Sequence, residues 1–266
     1  MALPSHVSHP ARTIVDRLRA AGCVFAEDEA DLITATATST EQLADMVERR
    51  VLGFPLEYVV GWADFRGLRI SVDPGVFVPR RRTEFLVTCA AALTDPNAVV
   101  VDLGCGSGAL GAALAAAVYR TGCRLELHAA DVDPAAVTCA RRNLPPGGRA
   151  YQGDLFAPLP DRLRGRVATL LANMPYVPTA DLALLPAEAR DHEALVALDG
   201  GADGLAVLRR VAEQAPSWLA PGGHLLFETG EHQVPYALEV VASAGLSARV
   251  RTDDELDATV VIATRR

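Results

Sequence analysis

Two short stretches of this chain combine residue types that binding and group transfer require. The first is Asp102-Leu103-Gly104-Cys105-Gly106-Ser107-Gly108. Its alternating glycines reach backbone torsions closed to other residues and let a ligand approach the main chain. The second is Asn173-Met174-Pro175-Tyr176, which offers a side-chain carbonyl, a backbone carbonyl, a rigid proline and a flat ring. An apolar run precedes each, Val99 to Leu103 and Val167 to Ala172. The plainer readings are a glycine turn with packing duties and a tidy turn after a strand. Position argues against them, because ligands of open α/β sheets sit beyond the carboxyl ends of the strands.

Gly106-Ser107-Gly108-Ala109-Leu110-Gly111 satisfies the dinucleotide pattern G-x-G-x-x-G, with Asp131 about twenty residues further on. Two features turn the reading from NAD toward S-adenosylmethionine. Asp102 precedes the first glycine, where a carboxylate can act on the ligand's amino group, and Gly153-Asp154-Leu155 is a polar strand end suited to an adenine amino group. Asp131 would accept from both ribose hydroxyls, a contact the two cofactors share. The tetrapeptide suits a planar nitrogen acceptor. An amide nitrogen is a poor nucleophile because its lone pair is delocalised, so it must be held and aimed. Asn173 Oδ1 and the Met174 carbonyl can hold an NH₂ while Tyr176 packs on the amide. With the nitrogen about 3–3.5 Å from the methyl carbon, positioning is the main catalytic device.

The elements that position these stretches follow from periodicity. Ile14, Val15 and Leu18, then Leu43, Met46 and Val47, recur at helical spacing, and Ser39 or Thr40 can cap the helix near Glu41. Gly53-Phe54-Pro55 breaks the pattern, and Tyr58-Val59-Val60 with Leu68 to Val72 reads as a linking β-hairpin. From Ala98 onward apolar strands alternate with helices. The expected strands are Val99 to Leu103, Leu125 to Ala130, Val167 to Ala172 and His224 to Glu228; helices begin near Leu110, Pro134, Gly204 and Val234. Ala248 to Arg251 and Ala258 to Thr264 would add an antiparallel edge. The expected fold class is α/β, a doubly wound Rossmann-like sheet with that edge. The expected division is a helical domain over 1–54, a hairpin linker over 55–84 and a catalytic domain over 85–266.

Composition excludes more than it selects. The 266 residues carry a net charge of −8, which disfavours a nucleic acid partner. Five scattered cysteines suit a reducing cytoplasm, and Cys105 reads as a small residue that fits its loop. Met1 to Pro10 lacks the pattern of a signal peptide, and no segment has membrane-spanning character. Asp191-His192-Glu193 is not H-E-x-x-H, so no metal is expected. Arg80-Arg81-Arg82 reads as a solvated face, with Arg80 alone kept as a functional residue.

From about Leu56 onward the chain resembles the HemK/PrmC family of N(5)-glutamine methyltransferases. The stations are Pro55 to Gly61, Phe77 to Glu84, the Asp102 to Gly108 loop, Asn173 to Tyr176, and Glu193 with Ala197 to Leu205. The resemblance implies that Gly104, Cys105, Gly106, Ser107, Gly108, Asp131, Leu155 and Asn173 contact the cofactor, beside Asp154. It implies that Asn173, Met174, Pro175 and Tyr176 hold the glutamine and that Phe77 walls the pocket. The implied partner is a protein with an exposed glutamine, a peptide-chain release factor foremost. Three departures stand out: Met174 replaces the family's second-position proline, Pro-Arg-Arg-Arg-Thr-Glu replaces Pro-Arg-Pro-Glu-Thr-Glu, and the helical N-terminal region is short. The competing readings are an adenine-N6 or cytosine-N4 nucleic-acid methyltransferase, a modifier of a specialised peptide or small molecule, a binding scaffold without turnover, and a dehydrogenase.

Overall fold

The computed structural model describes residues 9–266, with side chains from Thr13 onward. All but the end of the Met1 to Pro10 segment therefore lies outside the described residues. Three helices come first, α1 (His9–Ala20), α2 (Ala26–Thr36) and α3 (Thr40–Val51). They bury Leu18, Ile33, Met46 and Val47 in a cluster that Val59 also joins. Ser39 is the cap of α3, its hydroxyl accepting from Gln42 N at 3.1 Å.

Tyr58-Val59-Val60 is not a strand. It lies in the short helix α4 (Leu56–Val60). The flanking residues override the β-branched pair: Pro55 presets the helix entry, and Gly61 closes it at φ 84°. The hairpin is instead β1 (Trp62–Phe65) with β2 (Leu68–Ser71), turning through Arg66 and Gly67 at φ 52° and 72°. Two consecutive left-handed residues match the twist of an antiparallel pair.

Helix α5 (Glu84–Ala91) leads into the main body: β3 (Val99–Leu103), α6 (Ala109–Tyr119), β4 (Glu126–Asp131), α7 (Pro134–Asn143), β5 (Arg149–Gln152), β6 (Val167–Ala172), α8 (Ala187–His192), α9 (Ala206–Trp218), β7 (Leu219–Glu228), α10 (Val234–Ser243), β8 (Leu246–Asp253) and β9 (Ala258–Arg265). The seven strands run in the order β5-β4-β3-β6-β7-β9-β8, with only β9 antiparallel to its neighbours. Strand β5 runs up to the polar strand end expected at Gly153-Asp154-Leu155, although its own four residues mix polar with apolar at the sheet's rim and show no apolar run. The Pro221-Gly222-Gly223 turn signal is absorbed inside β7, where the pairing with β6 shifts register between Val167 and Thr169.

Every residue of β3 is buried, because helices cover both faces of the sheet. One apolar cluster lies on the side of α5 and α6 and another on the side of α9 and α10. Strand order reverses between β3 and β6, the switch point at which a crevice opens. Register decides what meets there. Leu103 pairs with Ala130 and with Ala172, and Ala172 pairs with Phe227. The next residues of the four strands come side by side as Gly104, Asp131, Asn173 and Glu228.

Candidate active site

A cavity of about 780 Å³ opens over these strand ends, a size that suits a small-molecule site. Phe77, Gly104, Gly106, Asp131, Asp154, Leu155 and Asn173 to Tyr176 all line it. Three loop residues do not. Cys105 and Ser107 border a small crevice behind the loop, and Gly108 lines neither. Gly108 is a packing glycine: at φ 78°, a Cβ there would press on Ala140 at 3.1 Å. Burial pushes the Cys105 thiol well above its usual range, so it is no nucleophile.

Asp131 ties the glycine loop to the second strand. Its Oδ2 accepts from Gly106 N at 2.9 Å and its Oδ1 from Asp133 N at 3.0 Å. Each oxygen keeps a second lone pair for a ligand hydroxyl. Burial raises the Asp131 carboxyl above its ordinary range, opposed by those backbone N–H groups. Asp102 differs from the sequence expectation: fully buried, it accepts from Gly111 N at 2.9 Å, and it is not among the residues lining the cavity. Among the described residues its Oδ1 has no hydrogen-bond partner, and burial with the nearby Asp131 charge pushes its carboxyl up to about 7. Asp154 borders the cavity, but its carboxylate is engaged by Arg210 of α9.

The tetrapeptide is gripped from several sides. Among the described residues the Asn173 side-chain amide has no hydrogen-bond partner, and Asn173 lines both the cavity and the small crevice behind the loop. Met174 is buried in the core with Leu205 and Phe227. Gln233 Nε2 donates to the Tyr176 carbonyl at 2.9 Å and to the Asp203 carbonyl at 3.0 Å. The Tyr176 hydroxyl donates to Glu228 Oε1 at 2.9 Å. Burial, and next the Glu228 charge, push that hydroxyl up, so it stays a protonated donor.

The arginine run is not one solvated face. Arg80 reaches both oxygens of the buried Glu193 at 2.7 Å and lies 4.8 Å from the Phe77 ring centre. Val78 N also donates to Glu193, at 3.2 Å. Arg82 Nε pairs with Glu228 at 2.8 Å, and of the three only Arg81 makes no ion pair with a described residue. Sequence reasoning missed Glu228, Thr83, Arg82 and Gln233. Glu228 left one signal, a carboxylate closing the apolar strand His224-Leu225-Leu226-Phe227.

Comparison with known proteins adds four findings. The family model described as methyltransferase small domain matches residues 67–182. The release factor glutamine methyltransferase of Geobacter sulfurreducens is 37% identical over 203 residues, which cover 75% of this chain and 69% of that protein. The release factor glutamine methyltransferase of Moorella thermoacetica is 39% identical over 207 residues, covering 75% and 70%. Among solved structures, a methyltransferase from Pyrococcus furiosus matches with a TM-score of 0.53 at 17% identity, over 75% of this chain and 89% of that one, and shares the fold.

Proposed function

The chain belongs to the release factor glutamine methyltransferases, and we propose that it methylates the side-chain amide nitrogen of a glutamine in a peptide-chain release factor, with S-adenosylmethionine as donor. The observation that carries this reading is a shared cavity: Asp131 and the glycine loop border it together with Asn173 to Tyr176, so donor and acceptor sites adjoin.

The donor site fits its ligand. Gly104 and Gly106 have no side chains to fill the cradle, and a Cβ on either would still have met only Asn173 and Phe77, at 3.7 Å or more. Asp131 accepts the ribose hydroxyls, Asp154 and Leu155 border the base, and Cys105, Ser107 and Gly108 shape the loop from behind. When bound, the cofactor supplies an electrophilic methyl group on a positively charged sulfur. Asn173 Oδ1 and the Met174 carbonyl accept the N–H groups of the acceptor amide, which fixes the plane of that amide. Tyr176 and Phe77 wall its faces, and Pro175 stiffens the chain between them. Alignment of this kind replaces an enzyme nucleophile.

The division that we propose is an N-terminal part over 1–54, helical in its described residues, a linker over 55–84 and a catalytic part over 85–266. A reducing cytoplasm is the compartment that five free cysteines suit. No described helix is long and apolar enough to cross a membrane.

The test is incubation with labelled cofactor and either a release factor or an adenine-containing oligonucleotide, followed by peptide mass spectrometry. One methyl on the glutamine of the Gly-Gly-Gln loop is expected, and none when that residue is asparagine. Asn173→Ala should lower turnover far more than cofactor affinity. Label on the oligonucleotide would overturn the assignment.

A further inference from the structure

Glu228 is a buried carboxylate that the roles given above do not use. Its side chain is 4% exposed, a position that costs free energy unless the charge is compensated. Compensation comes from three groups. Thr83 Oγ1 donates to Oε2 at 2.7 Å, the Tyr176 hydroxyl to Oε1 at 2.9 Å, and Arg82 Nε to Oε1 at 2.8 Å. Arg82 also hydrogen-bonds the Tyr176 hydroxyl, with its guanidinium 5.7 Å from the centre of the tyrosine ring. Arg82, Thr83, Tyr176 and Glu228 all border the cavity. Gln233 fixes the Tyr176 backbone from beneath. The hydroxyl end of the ring is fixed only through Glu228 and Arg82, among the described residues.

Arg82 is also where this chain parts from the family it resembles, which has Glu in the corresponding place of the Pro-Arg-Pro-Glu-Thr-Glu segment. A second carboxylate could not pair with Glu228. We propose that Arg82 is a positioning residue for the acceptor: clamped on Glu228, it holds the Tyr176 ring against the acceptor amide, and it does so from the linker rather than from the sheet. This inference rests on the reading that Tyr176 packs on the acceptor. Its consequence is selective. Loss of Arg82 leaves the hydroxyl on its single bond to Glu228 and loosens the ring without touching Asp131 or the glycine loop, so acceptor use suffers and cofactor affinity does not.

The experiment measures methyl transfer to a Gly-Gly-Gln peptide by the full chain, with Arg82→Met and Arg82→Lys alone and in a Tyr176→Phe background. Arg82→Met is expected to lower kcat/KM for the peptide about tenfold, the scale of a modest loss of alignment. Binding of S-adenosylhomocysteine should stay within about twofold, and Arg82→Lys should recover part of the loss because it keeps the charge opposite Glu228. In the Tyr176→Phe background the further loss should shrink below about twofold, since the tether is already cut. Arg82→Met leaves the buried Glu228 carboxylate without its cation, so urea unfolding checks that each variant is folded under the assay conditions, and Arg82→Lys serves if Arg82→Met does not fold. An unchanged kcat/KM in the variants, equal losses in both backgrounds, or a matching loss of cofactor affinity would overturn the clamp. A wild-type enzyme that leaves the peptide unlabelled would instead overturn the glutamine reading on which it rests.

Discussion

Gly200→Ala puts a purely steric load on the tetrapeptide. The turn from Gly200 to Gly204 passes beneath Pro175 and Tyr176, and a Cβ on Gly200 would stand 2.7 Å from the Gly204 carbonyl oxygen and 2.8 Å from the Pro175 carbonyl oxygen. Both are backbone atoms, so no side chain can swing aside. Ordinary contact begins at 3.4 Å, and the two segments must therefore part by roughly 0.6 Å, an overpacking that costs about 1–3 kcal/mol. The bonds from Gly200 N to the Val177 carbonyl (2.8 Å) and from Ala206 N to the Gly200 carbonyl (2.9 Å) resist that parting elsewhere. The displacement therefore falls on Pro175 and Tyr176. A misplacement of about 1 Å can cost about a hundredfold in rate, so kcat should drop about tenfold or more while S-adenosylhomocysteine affinity changes little. Gly222→Ala is the control: at φ 78° it strains the backbone by about 1–2 kcal/mol, but a Cβ there meets nothing within 4 Å. Urea unfolding, calorimetric binding and labelled methyl transfer on the two variants separate stability from alignment. A folded Gly200→Ala enzyme with kcat within twofold of wild type would refute the reasoning.

Asp131→Ala should weaken S-adenosylhomocysteine binding about tenfold in calorimetry, from hydrogen bonds worth roughly 0.5–1.5 kcal/mol each, and unchanged affinity would remove Asp131 from the ribose. Asp102 titrates near 7 in the folded protein against an ordinary 3.8, so the native state keeps a proton that the unfolded chain has lost. The stability this confers is complete below about pH 4 and is lost as pH rises to about 7. Asp102→Asn cannot ionise, and in urea unfolding it should gain on wild type between pH 5 and pH 8; a constant difference would refute the assignment. Arg50 pairs with the buried Glu29 at 2.6 Å and with Glu188 of the cavity wall at 2.7 Å. Arg50→Met leaves the Glu29 carboxylate buried without its cation and should cost about 3–5 kcal/mol in urea unfolding. A loss under about 1 kcal/mol, the worth of an exposed pair, would show that the pair is solvated.

What the sequence reveals and what it hides differ by the range of the interaction. Strands β3 and β6 are legible because burial on both faces leaves each apolar but for one residue, Asp102 and Thr169, and Gly104 and Asn173 are legible because they follow those strands. Strand order is not written locally, so the adjacency of Asn173 and Glu228 had no signal. Arg82 looked like one of three like charges, since its partner lies 146 positions on; Thr83, bonded to the same carboxylate 145 positions away, stood in the Phe77 to Glu84 segment with nothing nearby to show what it touches. Tyr58 to Val60 failed the other way: a β-branched pair suggested a strand, but Pro55 at the entry and Gly61 in the left-handed region at the exit bracket a short helix.

The same distinction explains how Met174 can stand where the family has proline. Proline narrows the backbone by a covalent ring, a local device visible in any alignment of motifs. Here the restriction is tertiary. Register with β3 and β7 sets where Asn173 begins, burial of Met174 beside Leu205 and Phe227 holds the next residue, and Gln233 and the Gly200–Gly204 turn hold the carbonyls after it. Glu228 then fixes the ring of Tyr176 at its hydroxyl. Each residue of the tetrapeptide is constrained by a different element, so a proline at Met174 would add little alignment that packing has not already imposed. The flexibility lost on folding is the cost of that arrangement, and it falls on the whole sheet rather than on one bond.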